Sequence, residues 1–248
     1  MKDYLLDIVK HSSILSGNNG FQVIKVTGTD TETRIESLSK DKSVVFKGRF
    51  KDVVPGFEGV FGIPNIAKLN AILNIAEYRE DPLVQIDTQE RNGVVCPVGF
   101  TITNSAGDFK NQYRFMLAEI VESQLKSIAF RGVDWDVEID AVSLASVNRF
   151  KAQASAVGDE SGTFVAKTDG GDLKFYFGEP SNNTGSFTFA NDVSGSMTSN
   201  IKWPVGAFMS ILNLSGDKTI KFNGGGLALI TVDSGIGVYD YFITAESA

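Results

Sequence analysis

The chain has 248 residues, 42% of them hydrophobic, enough for one large or two ordinary domains with real cores. A formal net charge of −7 and a pI near 4.8 argue against a nucleic-acid binder that works by overall basicity. The single cysteine, Cys96, excludes an internal disulfide and reads as a reduced, cytoplasmic chain, and no apolar run approaches a membrane span.

Asp3 to Leu15 predicts a helix, with Leu5, Leu6, Ile8 and Val9 in an apolar stripe opposite Asp7, Lys10 and His11. Asp3 and Asp7 stand where a signal peptide needs an apolar core, so none is expected. Phe21 to Thr27 and Thr31 to Leu38 alternate with period two around Gly28-Thr29-Asp30, which predicts an antiparallel hairpin; Ser43 to Phe50 continues the sheet. Val60 to Ile63 leads into Ile63 to Ile75 (IPNIAKLNAILNI), a proline-led helix with Leu69, Ile72 and Leu73 on one face. Strands follow at Leu83 to Thr88, Val94 to Thr103 and Gln112 to Leu117. Ala118 to Gly132 lacks a clean period and reads as a connector.

Val133 to Asp140 alternates as a strand and is followed by a long helix, Ala141 to Val157. Thr163 to Thr168 and Leu173 to Gly178 flank the turn Asp169-Gly170-Gly171-Asp172. Ser186 to Ala190 and Met197 to Lys202 are further strands, and Trp203 to Leu214 (WPVGAFMSILNL) is a second proline-led helix. Lys218 to Phe222, Leu227 to Val232 and Gly237 to Ile243 close the sheet. The two proline-led helices share an Ile-Leu-Asn-Ile/Leu ending, and one shift of 139 positions also carries Leu5 onto Leu144, Ile8 onto Val147 and Lys10 onto Arg149. The pattern is an internal duplication: an α+β chain whose halves each hold two helices among antiparallel strands.

Catalytic groups are hard to find in this pattern. His11 has no cysteine or serine partner implied by spacing and reads as solvated or facing a polyanion; Cys96 reads as a buried, inert thiol. Asp134, Asp136 and Glu138 share one face of a strand, a possible metal site, but the solvent face of an antiparallel strand accounts for them more simply. The glycines at 224 to 226 lack the lysine and helix of a phosphate loop. What remains is the distribution of charge: only Asp3 and Asp7 put acid on any of the four helices, while acids gather in strands and turns. The helices are net positive on a net negative chain.

With its duplicated helix–strand order, IPNIAKLNAILNIAE before Leu83 to Thr88 and KWPVGAFMSILNLSGDKTIKF before GLALITVDSGIGVYDYFI, the chain resembles the PCNA-like sliding clamps of DNA replication, most closely those of T-even-like tailed bacteriophages. The resemblance implies a DNA-clamp fold of two similar domains, residues 1–122 and 123–248 with a connector near 118–132, each with two helices on the inner face of a ring and antiparallel sheets outside. It implies a homotrimer around double-stranded DNA that tethers a DNA polymerase and is closed by an ATP-dependent clamp loader, in the cytoplasm of an infected bacterium. No catalytic site, cofactor or metal is expected. The DNA-facing residues would be Lys2, Lys10, His11, Lys68, Arg149, Lys151 and Lys202, and a partner peptide would enter a pocket formed by Leu125, Ile128, Phe130, Phe242, Ile243 and Ala245. The acidic balance fits such a ring, because topology rather than charge would hold the DNA. Rival readings are a virion structural protein built from duplicated β-rich domains and a metal-dependent hydrolase using Asp134, Asp136 and Glu138.

Overall fold

The computed structural model describes residues 1–15, 17, 20–91, 93–126, 132–157, 162–179 and 181–246. The chain divides into two units, Met1–Ile128 with Gly235–Tyr239, and Ala129–Ser234 with Asp240–Ala248. The first unit holds α1 (Lys2–Ser12), β1 (Val23–Gly28), β2 (Thr33–Leu38), β3 (Val44–Phe50), β4 (Gly59–Pro64), α2 (Ile66–Leu73), β5 (Leu83–Arg91), β6 (Val94–Thr103), β7 (Lys110–Arg114), β8 (Met116–Leu117) and α3 (Ala118–Gln124). The second holds β9 (Val137–Ile139), α4 (Leu144–Val157), β10 (Thr163–Asp169), β11 (Asp172–Gly178), β12 (Thr184–Ala190), β13 (Ser194–Gly195), β14 (Lys202–Pro204), α5 (Val205–Leu212), β15 (Asp217–Asn223) and β16 (Leu227–Asp233). The last strand, β17 (Gly237–Thr244), gives its first residues to the first unit and the rest to the second.

In the first unit the sheet runs β3-β2-β1-β4-β8, and a second sheet runs β5-β6-β7. Alternation sets what each strand buries: Ile24, Val26, Ile35 and Phe46 are fully buried, while Lys25, Arg34 and Arg49 lie on the opposite face. α1 and α2 pack side by side over this core, burying Leu5, Ile8 and Val9 from one and Ile66, Leu69, Ile72 and Leu73 from the other. Gly48 in β3 has a structural reason, since a Cβ there would stand 2.6 Å from the Tyr239 ring.

The second unit repeats the plan with a phenylalanine core. Its sheets run β12-β11-β10-β14 and β13-β9-β15-β16-β17. Phe150 of α4 meets Phe164 of β10 edge-on at 5.2 Å, and Phe164 meets Phe208 of α5 at 4.9 Å, the aromatic geometry that ring quadrupoles favour. The 139-residue shift relates buried positions in both units: Ile8 to Val147, Leu69 to Phe208, Ile72 to Ile211 and Leu73 to Leu212. Leu5 and Leu144 do not correspond in burial, because Leu144 is the first residue of α4 and is 73% exposed.

Five local expectations change. Pro64 does not open the helix: it ends β4, paired with Val23, and the N-cap is Asn65, in the left-handed region with its side chain accepting from the Lys68 amide at 3.1 Å. Pro204 is likewise the N-cap of α5 and not part of its first turn. The connector stretch forms α3, whose Val121 is fully buried where Gly62 of β4 lacks a side chain. The strand expected over Val133 to Asp140 is reduced to Val137–Ile139, and that over Met197 to Lys202 to its last residue and the two beyond it.

Candidate nucleic-acid interface

In the first unit the outward surface of the helix pair is set by the residues that alternate with the buried stripe. On α1 it carries Lys10, exposed, and Lys2, half-buried with its ammonium donating to the Tyr78 carbonyl. On α2 it carries exposed Lys68, Asn70 and Asn74, and the Asn74 amide donates to the Asn70 carbonyl oxygen at 2.9 Å and to its side-chain oxygen at 2.7 Å. Lys68 has no side-chain partner among the described residues. The only acid exposed on either helix is Asp3, since Asp7 is turned inward. In the second unit α4 presents exposed Arg149 and half-buried Lys151, and neither α4 nor α5 contains an acid. Each helix pair therefore offers a sparse cationic surface lined by amides and small residues, suited to loose contact with a polyanion.

Two of the expected DNA-facing residues belong elsewhere. His11 is fully buried, its imidazole stacked on Tyr239 at 3.9 Å, with Nε2 3.7 Å from an Asp7 carboxylate oxygen. The Tyr239 hydroxyl donates to the other Asp7 oxygen at 2.5 Å. The same shift that carries Lys10 onto Arg149 carries His11 onto Phe150, also fully buried, so the repeat held the signal that this is a core position. Lys202 lies in β14 beside Val165, whereas its neighbours Trp203 and Phe164 point to the helix side; alternation puts Lys202 on the other face of the sheet, where it pairs with Glu179 at 2.6 Å.

Of the expected peptide-pocket residues, Leu125 is buried and closes a small cleft with Glu36, Ser37, Val45, Lys47 and Lys126 in the first unit. Ile128 and Phe130 lie outside the described residues. Ile243 is fully buried, because Tyr239, Tyr241 and Ile243 are the inward set of β17; Phe242 is half-buried between them. Ala245 donates its amide to the Gly226 carbonyl and borders an open groove of about 770 Å³ with Lys202 and Glu246 in the second unit.

Of the three candidate metal carboxylates, those of Asp136 and Glu138 hold structural partners, and Asp134 is engaged through its backbone carbonyl. Asp134 offers its carbonyl to the Asn223 side chain at 2.6 Å, Asp136 accepts from the Gly224 amide at 2.5 Å, and Glu138 pairs with Lys221 at 2.5 Å. Among the described residues no cluster of three acidic, cysteine or histidine side chains could hold a metal ion. Cys96, expected buried, is half-buried in β6. Among the described residues no helix is long and apolar enough to cross a membrane.

No protein-family model matches the chain, and comparison with curated proteins finds no match. Solved structures do match. The structure of the C-terminal region of FEN-1 bound to A. fulgidus PCNA aligns with a TM-score of 0.72 at 9% identity, covering 100% of this chain and 96% of that one. PCNA from Thermococcus kodakaraensis aligns with a TM-score of 0.68 at 15% identity, covering 98% and 97%. The fold is the PCNA clamp fold. At this identity the likeness is one of architecture, with both α+β units and both helix pairs included in the aligned length.

Proposed function

We propose that this protein is a sliding clamp: a homotrimeric ring that encircles duplex DNA, tethers a DNA polymerase and offers docking sites to other replication proteins, with no catalytic site of its own. The observation that carries the reading is the full-length likeness to PCNA, a TM-score of 0.72 over the whole chain. The charge asymmetry supports it: Lys10, Lys68, Arg149 and Lys151 on helices nearly free of exposed acid, within a chain of net charge −7. So does the state of the sheet edges. β7 ends the β5-β6-β7 sheet and β12 ends the β12-β11-β10-β14 sheet, and unpaired edges of this kind are normally covered in a stable assembly. In a ring, β7 of one copy would pair with β12 of the next.

The resemblance to phage clamps extends the reading to a bacteriophage protein acting in the cytoplasm of its bacterial host, closed on DNA by an ATP-dependent loader. That a FEN-1 C-terminal region is bound to the A. fulgidus protein supports peptide docking as the way partners attach here too. The test is retention on DNA together with solution mass. Light scattering is expected to give a trimer, and protein loaded on closed circles is expected to persist there and to run off when the circle is cut. Equal loss from circular and linear DNA, or a monomer at all concentrations, would refute encirclement. Reversing Lys10, Lys68 and Arg149 to glutamate should shorten retention without altering the mass.

A further inference from the structure

In the second unit, the turn between β15 and β16 gathers the groups of a covalent reaction that the clamp reading does not use. Asn223 is followed by Gly224, and a main-chain nitrogen with no side chain beside it is the one most free to attack the carbonyl carbon of a preceding asparagine side chain. The turn holds each participant. The Gly224 amide donates to Asp136 Oδ2 at 2.5 Å, a carboxylate brought in from the segment before β9. Asn223 Oδ1 accepts from the Gly225 amide at 2.7 Å, and its Nδ2 donates to the Asp134 carbonyl at 2.6 Å. A Cβ at Gly224 would stand 3.2 Å from Asp136 Oδ2, and one at Gly225 would stand 2.6 Å from Asn223 Oδ1, so a side chain at either position displaces one of the participants. Gly224, Gly225 and Asp136 are exposed and Asn223 is half-buried, so water reaches the turn.

We propose that Asn223-Gly224 is a site of self-catalysed deamidation, with Asp136 as general base and the Gly225 amide as oxyanion donor. Asp136 takes the proton of the Gly224 nitrogen as that nitrogen's electron pair forms a bond to Asn223 Cγ, and the carbonyl electrons move onto Oδ1, where the Gly225 N–H meets them. When this tetrahedral centre collapses, the Cγ–Nδ2 bond breaks, the proton held by Asp136 passes to Nδ2, and ammonia leaves a five-membered succinimide behind. One water opens the ring. Its hydroxyl adds at Cγ to give aspartate, or at the main-chain carbonyl carbon to give isoaspartate, and its proton returns to the Gly224 nitrogen. Either product adds a negative charge beside Asp136 and removes the donor that held the Asp134 carbonyl. Isoaspartate also lengthens the main chain of the turn by one carbon. The Gly226 amide donates to the Asn223 carbonyl, and the Gly226 carbonyl accepts from Ala245, so the change is passed to the residue that follows β17. Neither ring closure nor DNA enters this chemistry.

The test is incubation of the purified full chain in warm, neutral buffer, with peptide mapping by mass spectrometry at intervals. Conversion of an amide to an acid raises the mass of its peptide by one unit, and an isoaspartyl methyltransferase counts the isoaspartate. Asn19-Gly20 and Asn92-Gly93, the other Asn-Gly pairs of the chain, run as internal comparisons. Asn223 is expected to react faster in the folded chain than in the same chain kept in urea, a comparison that needs no variant. Asp136→Asn should slow it by roughly tenfold to a hundredfold and leave the other two pairs unchanged. Gly224→Ala should slow it as well, and circular dichroism checks that both variants fold. An Asn223 that stays intact through the incubation, or that reacts at the same rate in urea or in the folded Asp136→Asn variant, would overturn the proposal.

Discussion

Replacing Tyr239 by phenylalanine isolates one bond in the core of the first unit. The phenyl ring keeps the 3.9 Å stack on His11 and the stacked contact with Phe46 at 5.9 Å. What is lost is the hydroxyl that donates to Asp7 Oδ2 at 2.5 Å, in a site where Tyr239 and His11 are fully buried and Asp7 is 9% exposed. Water cannot readily replace that donor, so the buried Asp7 carboxylate loses a charge-assisted hydrogen bond. A hydrogen bond to a carboxylate contributes roughly 1.5–3 kcal/mol, and a loss of about 2 kcal/mol is expected here. Both tryptophans, Trp135 and Trp203, lie in the second unit, so tryptophan fluorescence would report on the wrong core. Amide hydrogen exchange of α1 and β3 is the suitable measurement, and 2 kcal/mol corresponds to exchange faster by about thirtyfold. Exchange in α1 unchanged from the parent would refute the argument that this bond ties the helix down.

Other outcomes follow from the same geometry. His11→Ala should cost roughly 3 kcal/mol through the gap left against Tyr239, and His11→Phe clearly less, since the repeat places Phe150 at the equivalent position; urea midpoints by circular dichroism at fixed protein concentration would rank them. Gly48→Ala puts a methyl 2.6 Å from the Tyr239 ring and should cost about 1–3 kcal/mol in the same assay. Asn65→Ala removes the cap on the Lys68 amide and leaves alanine at a φ of 49°, so α2 should lose about 1–2 kcal/mol, whereas Asn65→Gly, free to adopt that φ, should lose only a few tenths. Asp41 gives a pH prediction. Partial burial works upward on its carboxyl, but hydrogen bonds from Ser39 and Ser43 outweigh it and hold the pKa below the ordinary value. The folded pKa is depressed, so the contribution to the β2–β3 turn is present above the unfolded value and is lost as pH falls through the folded one. An NMR titration should show the Asp41 midpoint rising toward that of a free carboxyl in Ser39→Ala/Ser43→Ala.

The fold was largely legible because its elements are written in local periodicity. Period-two alternation in Thr31 to Leu38 and Leu227 to Val232, and three-and-four spacing in Leu69, Ile72 and Leu73, depend only on neighbours in sequence; the observed strands and helices follow them within a few residues. Where the reading failed, the competing signal was also local but weaker. Pro64 suits a first helical turn and an edge-proximal strand end alike, and Asn65, able to adopt the left-handed region and cap the helix, decides between them. Ala118 to Gln124 has too few turns to show a period, and it is helical because Val121 finds the space above Gly62.

The candidate interface divides in the same way. Composition alone determined that the four helices are poor in acid, and alternation determined that Lys10, Lys68 and Arg149 face away from the buried stripe. His11 and Lys202 were decided only by tertiary structure. A helical wheel puts His11 among polar residues, but Tyr239, with a hydroxyl that reaches Asp7 across 232 residues of chain, makes that side of α1 part of the core. Lys202 precedes a helix in sequence and belongs to a strand in space, so the pleat and not the helix sets its direction. Periodicity can report which residues share a face, because that is a property of backbone geometry; which face meets solvent depends on what distant segment packs there, and that is a property of the folded chain.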